Sequence, residues 1–196
     1  MEGYYDCGPL VLLDRPVALT GFIGSKLPQI ASSVVALTGL PLADLDRWIE
    51  HEAGTAVEGM VLRQGEIAMR RMESRLLDRA LESRPPGIIV LGEGTLLDSD
   101  NRRKIRRHAK LVYIELSIFE LYAALRAEWA HAPMKHCHLF VDPPGDIAEV
   151  ESLFKHRISS YRDADVLVRG SHKYTLDIAM DVIKILEPLP PSSPAA

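Results

Sequence analysis

The sequence predicts an α/β fold: a short parallel sheet of about five strands, flanked by helices in a three-layer arrangement. Short apolar runs without polar alternation, the pattern of strands buried on both faces, alternate with longer segments of helical period. Glycine turns follow two of these runs, at Gly21–Gly24 and Gly92–Gly94. No internal repeat and no second domain boundary interrupts the alternation. In such folds ligands bind at the carboxyl ends of the strands. Residues 21–27, 44–46 and 92–95 fall there.

Arg15–Phe22 reads as the first buried strand, and Pro28–Leu37 as a helix carrying Ile30, Val34, Val35 and Leu37 on one side, ended by Gly39. A short second strand precedes a helix start at Arg47–Glu50. Glu66–Leu81 is the clearest helix, with Ile67, Met69, Met72, Leu76, Leu77, Ala80 and Leu81 on one stripe. Pro85-Pro86-Gly87 breaks it, and Ile88–Leu91 is the next strand. A basic helix at Asn101–His108 leads to a strand at Lys110–Leu116. Ser117 is placed to cap a helix over Ile118–Trp129. Residues 130–145, rich in His and Pro, have no period. Ile147–Tyr161 is helical, Asp165–Val168 a last strand and Thr175–Leu186 a last helix. The expected organisation is an N-terminal extension (1–14), a domain (15–187) with a lid segment at about 130–145, and a disordered tail (188–196).

Composition narrows the function classes. The 196 residues are 47% hydrophobic and 26% charged, an ordinary globular balance. A net charge of −4 creates no global field toward nucleic acid or anionic lipid. No apolar run approaches the ~18 residues of a membrane helix, and the first residues lack signal-peptide order. Cys7 and Cys137 are too few for a disulfide framework. The expectation is a cytoplasmic protein with no membrane partner.

A phosphate-binding loop needs G-x-x-x-x-G-K-[ST] between a strand and a helix, so that backbone N–H groups, the lysine and the hydroxyl hold phosphates and Mg²⁺. This chain reads Gly21-Phe22-Ile23-Gly24-Ser25-Lys26-Leu27-Pro28. The context and first glycine are right. Lys26 stands at the second glycine, Leu27 at the lysine and Pro28 at the hydroxyl position. Pro28 suits a first helical turn but removes an N–H.

Four segments occur in a telling order: Gly21-Phe22-Ile23-Gly24-Ser25, Asp44-Leu45-Asp46, Gly65-Glu66-Ile67-Ala68-Met69-Arg70-Arg71-Met72-Glu73 and Gly92-Glu93-Gly94. Together they resemble shikimate kinase, with its G-F-M-G-x-G-K-S/T loop, D-x-D, G-E-x-x-F-R-x-x-E helix and G-G-G turn. The resemblance runs from about Arg15 to Leu186. It implies a nucleoside-monophosphate-kinase type of P-loop fold with a lid over the nucleotide. It also implies that Asp46 contacts substrate hydroxyls and serves the catalytic step, and that Asp44 lies near the metal. Arg70 and Arg157 would bind the substrate carboxylate, with Gly92 and Gly94 lining the same pocket. Gly21, Gly24, Ser25 and Lys26 would be vestiges of the nucleotide loop. The middle glycine of the turn is Glu93, and Ala132 replaces a lid arginine.

These departures set the functional expectation. The acceptor-side charges remain, whereas the loop lysine, its hydroxyl and the lid arginine are gone. That pattern fits a catalytically impaired relative that binds a small carboxylate ligand or a protein partner, Arg70 and Arg157 clamping the carboxylate. The alternative is a working phosphotransferase of shikimate-kinase type using ATP and Mg²⁺ through an unorthodox loop. A third reading is a regulator using the basic helix 102–110, although nucleic acid is a poor match to a net-negative chain. Plainer roles compete. Glu73 lies one helical turn from Arg70 and can simply pair with it. Asp44 or Asp46 can serve a helix N-terminus. His131, His136, Cys137, His138 and Asp142 match no common zinc spacing.

Overall fold

A computed structural model describes residues 11–132 and 145–186. Most of the expected extension, most of the lid segment and the tail therefore lie outside the described residues. The expected sheet is there. Strands β1 (Val17–Gly21), β2 (Leu42–Asp44), β3 (Ile88–Val90), β4 (Lys110–Glu115) and β5 (Val166–Arg169) are all parallel. Their order is β2-β3-β1-β4-β5, which puts the first strand at the centre. Val17 pairs with Ile88 on one side and Lys110 on the other, so the two glycine turns leave the sheet at the same edge.

The side chains of the inner strands divide by parity, as a pleated sheet requires. Val17, Leu19, Ile88, Val90, Val112 and Ile114 face one layer. It is closed by α1 (Leu27–Thr38) and α8 (Thr175–Leu186) through Ile30, Val34, Ile178 and Val182. Ala18, Ile89, Leu111 and Tyr113 face the other. That layer holds α2 (Leu45–Ala53), α3 (Val57–Gln64), α4 (Glu66–Glu82), α5 (Ser99–His108), α6 (Ile118–His131) and α7 (Ile147–Tyr161). Both faces are therefore dry, which is why the strands read as continuous apolar runs. No helix among the described residues is long and apolar enough to cross a membrane.

Local signals hold where they were strong. Gly39 ends α1 at φ 73°, donating its N–H to Val35 O. Ser117 caps α6 in a reciprocal capping box with Glu120. Helix α3 is the element that sequence reading passes over. It has eight residues, a glycine inside it (Gly59) and no capping side chain, so its own propensity is weak. It forms because Met60 is buried in the layer shared with α2 and α4. A 3-10 turn at Thr95–Leu97 also follows the second glycine turn.

Candidate functional site

The first loop folds as a strand–turn–helix, and its residues have well-defined packing roles. A Cβ on Gly21 would stand 2.6 Å from Ser25 Oγ, so only glycine lets the loop close this tightly. Gly24 has φ +82°, and a Cβ there would meet Leu121 O at 2.9 Å, because α6 packs onto the loop. Lys26 takes the left-handed conformation (φ 56°) at the N-cap of α1, with its side chain exposed. Its carbonyl accepts from the N–H groups of Gln29 and Ile30, each at 3.1 Å. Leu27 is 7% exposed and belongs to the core with Ile30 and Val34. Pro28 occupies the first helical turn.

A cleft of about 750 Å³ opens beside this loop, between β2, α2, α3, α4 and the Gly92–Gly94 turn. Pro28 and Gln29 close one side, and Asp46, Arg70, Glu73, Glu93 and Gly94 line another. Asp44 ends β2 and caps α2, its carboxylate accepting from Arg47 N at 3.2 Å and lying 3.7 Å from Arg47 Nε. Two residues further on, Asp46 is therefore held in the first turn of α2. Arg70 and Glu73 lie on α4, one helical turn apart. Glu73 is 1% exposed, pairs with Arg70 Nη1 at 3.0 Å and accepts from Thr95 Oγ1 at 2.7 Å. Arg70 also contacts Glu66 at 3.1 Å. The expected plain pairing of Arg70 with Glu73 is thus present, and it fixes the guanidinium at the cleft wall.

The two retained glycines of the turn have a steric reason. A Cβ on Gly92 would lie 2.6 Å from Glu73 Oε1 and 2.8 Å from Asp46 Oδ1. One on Gly94 would lie 2.2 Å from Arg70 Nη1. The turn is thus pressed against Asp46 and Glu73 at one end and Arg70 at the other.

Arg157 departs from the expected clamp. It is 6% exposed, does not line the cleft, and donates through Nη1 to the Glu93 carbonyl at 3.4 Å. Its helix, α7, buries it beside Tyr161, whose ring stacks on Tyr113 with centroids 5.1 Å apart. Burial pushes the Tyr161 hydroxyl up to about 12. Both arginines touch the same turn, Arg70 beside Gly94 and Arg157 at the neighbouring Glu93 carbonyl, and of the two Arg70 alone lines the cleft. The physical reason is that α7 packs its apolar face against the sheet layer, which takes Arg157 into the interior with it.

The cleft is acidic. Asp44, Asp46, Glu50, Glu58, Glu73 and Glu93 supply carboxylates against the guanidinium groups of Arg47 and Arg70. Burial, then the charges of Glu93, Glu73, Asp44 and Glu50, raise the Asp46 carboxyl to about 7. Asp46 is therefore poised to gain or lose a proton at neutral pH, as a group acting on a hydroxyl would need. Asp44 as a metal ligand fares less well, since its carboxylate caps α2 and faces Arg47. Among the described residues no group of three or more His, Cys, Asp or Glu is arranged to hold a metal ion. His136, Cys137, His138 and Asp142 lie outside those residues. Pro28 stands where the phosphate-loop motif has its Mg²⁺-binding hydroxyl, so that position offers no metal ligand.

Sequence reasoning flagged the segment 92–95 without giving Thr95 its role as a donor to Glu73, and it passed over the α3 residues Gly59 and Leu62 that line the cleft. No local signal marks the α3 residues, because only the packing of α3 on α4 brings them there. Three cations of the basic helix have partners within the chain. Arg102 donates to Leu96 O and Leu97 O, Arg103 pairs with Asp100, and Lys104 reaches Asp78 at 2.7 Å.

Comparison with known proteins agrees with this architecture. The shikimate kinase family model matches residues 29–187. The shikimate kinase of Ruegeria pomeroyi is 26% identical over 174 residues, covering 89% of this chain and 85% of that protein. The Rhodopirellula baltica enzyme is 29% identical, covering 85% of this chain and 87% of its own. Among solved structures, shikimate kinase from Acinetobacter baumannii in complex with shikimate superposes with a TM-score of 0.76. It is 18% identical, covering 87% of this chain and 92% of that one. The Bacteroides thetaiotaomicron enzyme gives 0.74 at 18% identity, covering 89% and 99%. With the family model spanning most of its length over this five-stranded parallel fold, the chain belongs to the shikimate kinase family.

Proposed function

We propose that this family member keeps the acceptor cleft and has lost the nucleotide chemistry, so that it binds a small hydroxylated carboxylic acid without transferring phosphate from ATP. Leu27 carries this reading. Where the family motif has its phosphate-binding lysine, this chain has an aliphatic side chain built into the core. Phosphoryl transfer depends on positioning and on cations around the migrating group. Here the loop lysine, the loop hydroxyl and the lid arginine are replaced by Leu27, Pro28 and Ala132. The family match itself begins at residue 29, past the loop.

On the acceptor side, the lining of the cleft supports this reading. Asp46 would accept hydrogen bonds from ligand hydroxyls and Arg70 would pair with the carboxylate. Gly92 and Gly94 would bring the turn close to the ligand. Arg157 would act as a positioning residue, holding the turn through the Glu93 carbonyl. A related fold solved with shikimate bound supports a ligand of this class.

The test is a coupled ADP-release assay with ATP, Mg²⁺ and shikimate, alongside separate calorimetric titrations of ATP–Mg²⁺ and shikimate. The expected result is no turnover near the ~1–100 s⁻¹ of kinases, no ATP–Mg²⁺ binding, and saturable binding of the acid. Arg70→Ala should weaken that binding by roughly tenfold to a hundredfold, as for a lost hydrogen bond to a charged group. Ordinary turnover would overturn the reading in favour of an active phosphotransferase.

A further inference from the structure

A line of buried polar groups runs from the basic helix α5 to the cleft. Asn101 on α5 is 1% exposed and uses both ends of its amide. Its Oδ1 accepts from Ser74 Oγ at 2.8 Å, and its Nδ2 donates to Thr95 O at 3.3 Å. Thr95 is fully buried and donates its hydroxyl to Glu73 Oε1 at 2.7 Å. Glu73 offers its other oxygen, Oε2, to Arg70 Nη1 at 3.0 Å, and Arg70 lines the cleft. At the outer end Lys104 donates to Ser74 Oγ and Asp78, which ties α5 to α4.

Each link limits the next. A carboxylate can accept from an arginine through both oxygens at once. Here Thr95 occupies Oε1, and Gly92 closes on that oxygen so tightly that a Cβ would stand 2.6 Å away. Arg70 therefore meets Oε2 alone. Its Nε and Nη2 share Glu66 Oε1, at 3.3 and 3.1 Å. These contacts leave one N–H on each terminal nitrogen without a partner among the described residues, a pair suited to a ligand carboxylate. Without the Thr95 hydroxyl, Glu73 Oε1 would lack its donor and would turn to Arg70, drawing the guanidinium away from the ligand.

Resting on the reading of this cleft as the ligand site, we propose that Thr95 and Asn101 are positioning residues for the ligand's carboxylate. Neither lines the cleft. Thr95 fixes Glu73 so that Arg70 keeps two N–H groups for the ligand, and Asn101 seats Thr95 from α5. The inference gives the basic helix a task inside the fold. It also accounts for polar groups in a buried layer where apolar ones would pack at lower cost.

The experiment titrates shikimate into the full chain at pH 7.5, followed by NMR so that millimolar affinities can be read. Thr95→Val keeps the shape and removes the hydroxyl, whereas Thr95→Ser keeps the hydroxyl. Each is made in the wild type and in Arg70→Ala. Thr95→Val is expected to weaken binding about tenfold, and Thr95→Ser by less than about threefold. In the Arg70→Ala background Thr95→Val should cost less than about twofold more, because its effect passes through the arginine. Should Thr95→Val not fold, Asn101→Ala repeats the test, with a loss of about threefold that likewise vanishes without Arg70. A loss of equal size with and without Arg70 is what packing alone would produce, and it overturns the inference. So does wild-type affinity in Thr95→Val. Both results leave the cleft reading standing. Shikimate that fails to bind the wild type overturns the cleft reading and this inference with it.

Discussion

The first loop and the acceptor cleft lie side by side at the same end of the sheet, yet their polar groups have had opposite fates. In the loop, the residue at the lysine position has joined the core, the hydroxyl position holds a proline, and the remaining lysine serves as an exposed left-handed cap. In the cleft, Asp46, Arg70 and Glu73 are all present, packed and mutually oriented by α2, α4 and the glycine turn. A loop backbone can thus be held by packing alone. The strand–turn–helix at Gly21–Leu27 needs only two close approaches and a helix start, none of which depends on the motif's lysine or hydroxyl. The cleft has no such backbone substitute, because its geometry is carried by side chains that hold one another.

That contrast can be broken by mutation. Leu27→Ala should have the largest effect on stability, in the lower half of the roughly 2–5 kcal/mol typical of a core leucine. Chemical denaturation measures it, and a negligible loss would mean that the loop position is not core. Glu73→Ala comes next, at about 2–3 kcal/mol, since it strips a buried acceptor from Thr95 and a partner from Arg70. Denaturation combined with ligand titration should show both stability and binding falling together.

Asp46→Asn sharpens the comparison through pH. The Asp46 carboxyl sits at about 7 in the fold against an ordinary value near 3.8, so the folded protein favours its protonated form. The stability this contributes is complete below the ordinary carboxylate range and is lost as pH rises through about 7. Asn, which cannot ionise, should leave the melting temperature near pH 4 almost unchanged. At pH 8 it should raise it by roughly 4–8 °C, equivalent to about 2 kcal/mol at this chain length. Thermal scans across pH 4–8 read the difference directly, and a parallel offset at every pH would contradict it.

Gly94→Ala is expected to be the smallest in stability, within about 1 kcal/mol, because the new Cβ meets the end of a flexible arginine rather than backbone. Its effect should appear instead as weaker binding of the acid, with Arg70 displaced from the turn. Unchanged affinity would show that the placement of Arg70 on Gly94 has no part in binding.

Much of this was legible in the residues. The strand–helix alternation gave the parallel sheet because strands buried on both faces have to be apolar on both. The resemblance to shikimate kinase implied that Asp46, Arg70 and Gly94 share one site, and the three line one cleft. Arg157 could not be placed so well. Its motif neighbour Tyr161 is present, but whether an arginine on an amphipathic helix faces a cleft or the interior depends on how the helix rolls against the sheet. Here α7 rolls it inward, to the Glu93 carbonyl. Helix α3 was silent for a related reason, since its formation depends on neighbours far away in sequence.

The sequence by itself determined the order of elements, the parallel sheet, the glycine positions of both turns and the absence of the loop's lysine and hydroxyl. These are properties of periodicity and of single residues, which local chemistry expresses wherever the chain goes. Only the tertiary structure decided that Leu27 is core, that Arg157 holds a turn from within, and that Glu93 and Asp46 share one acidic wall. Burial and the distance between charges arise only when separate elements pack, and no spacing along the chain encodes them.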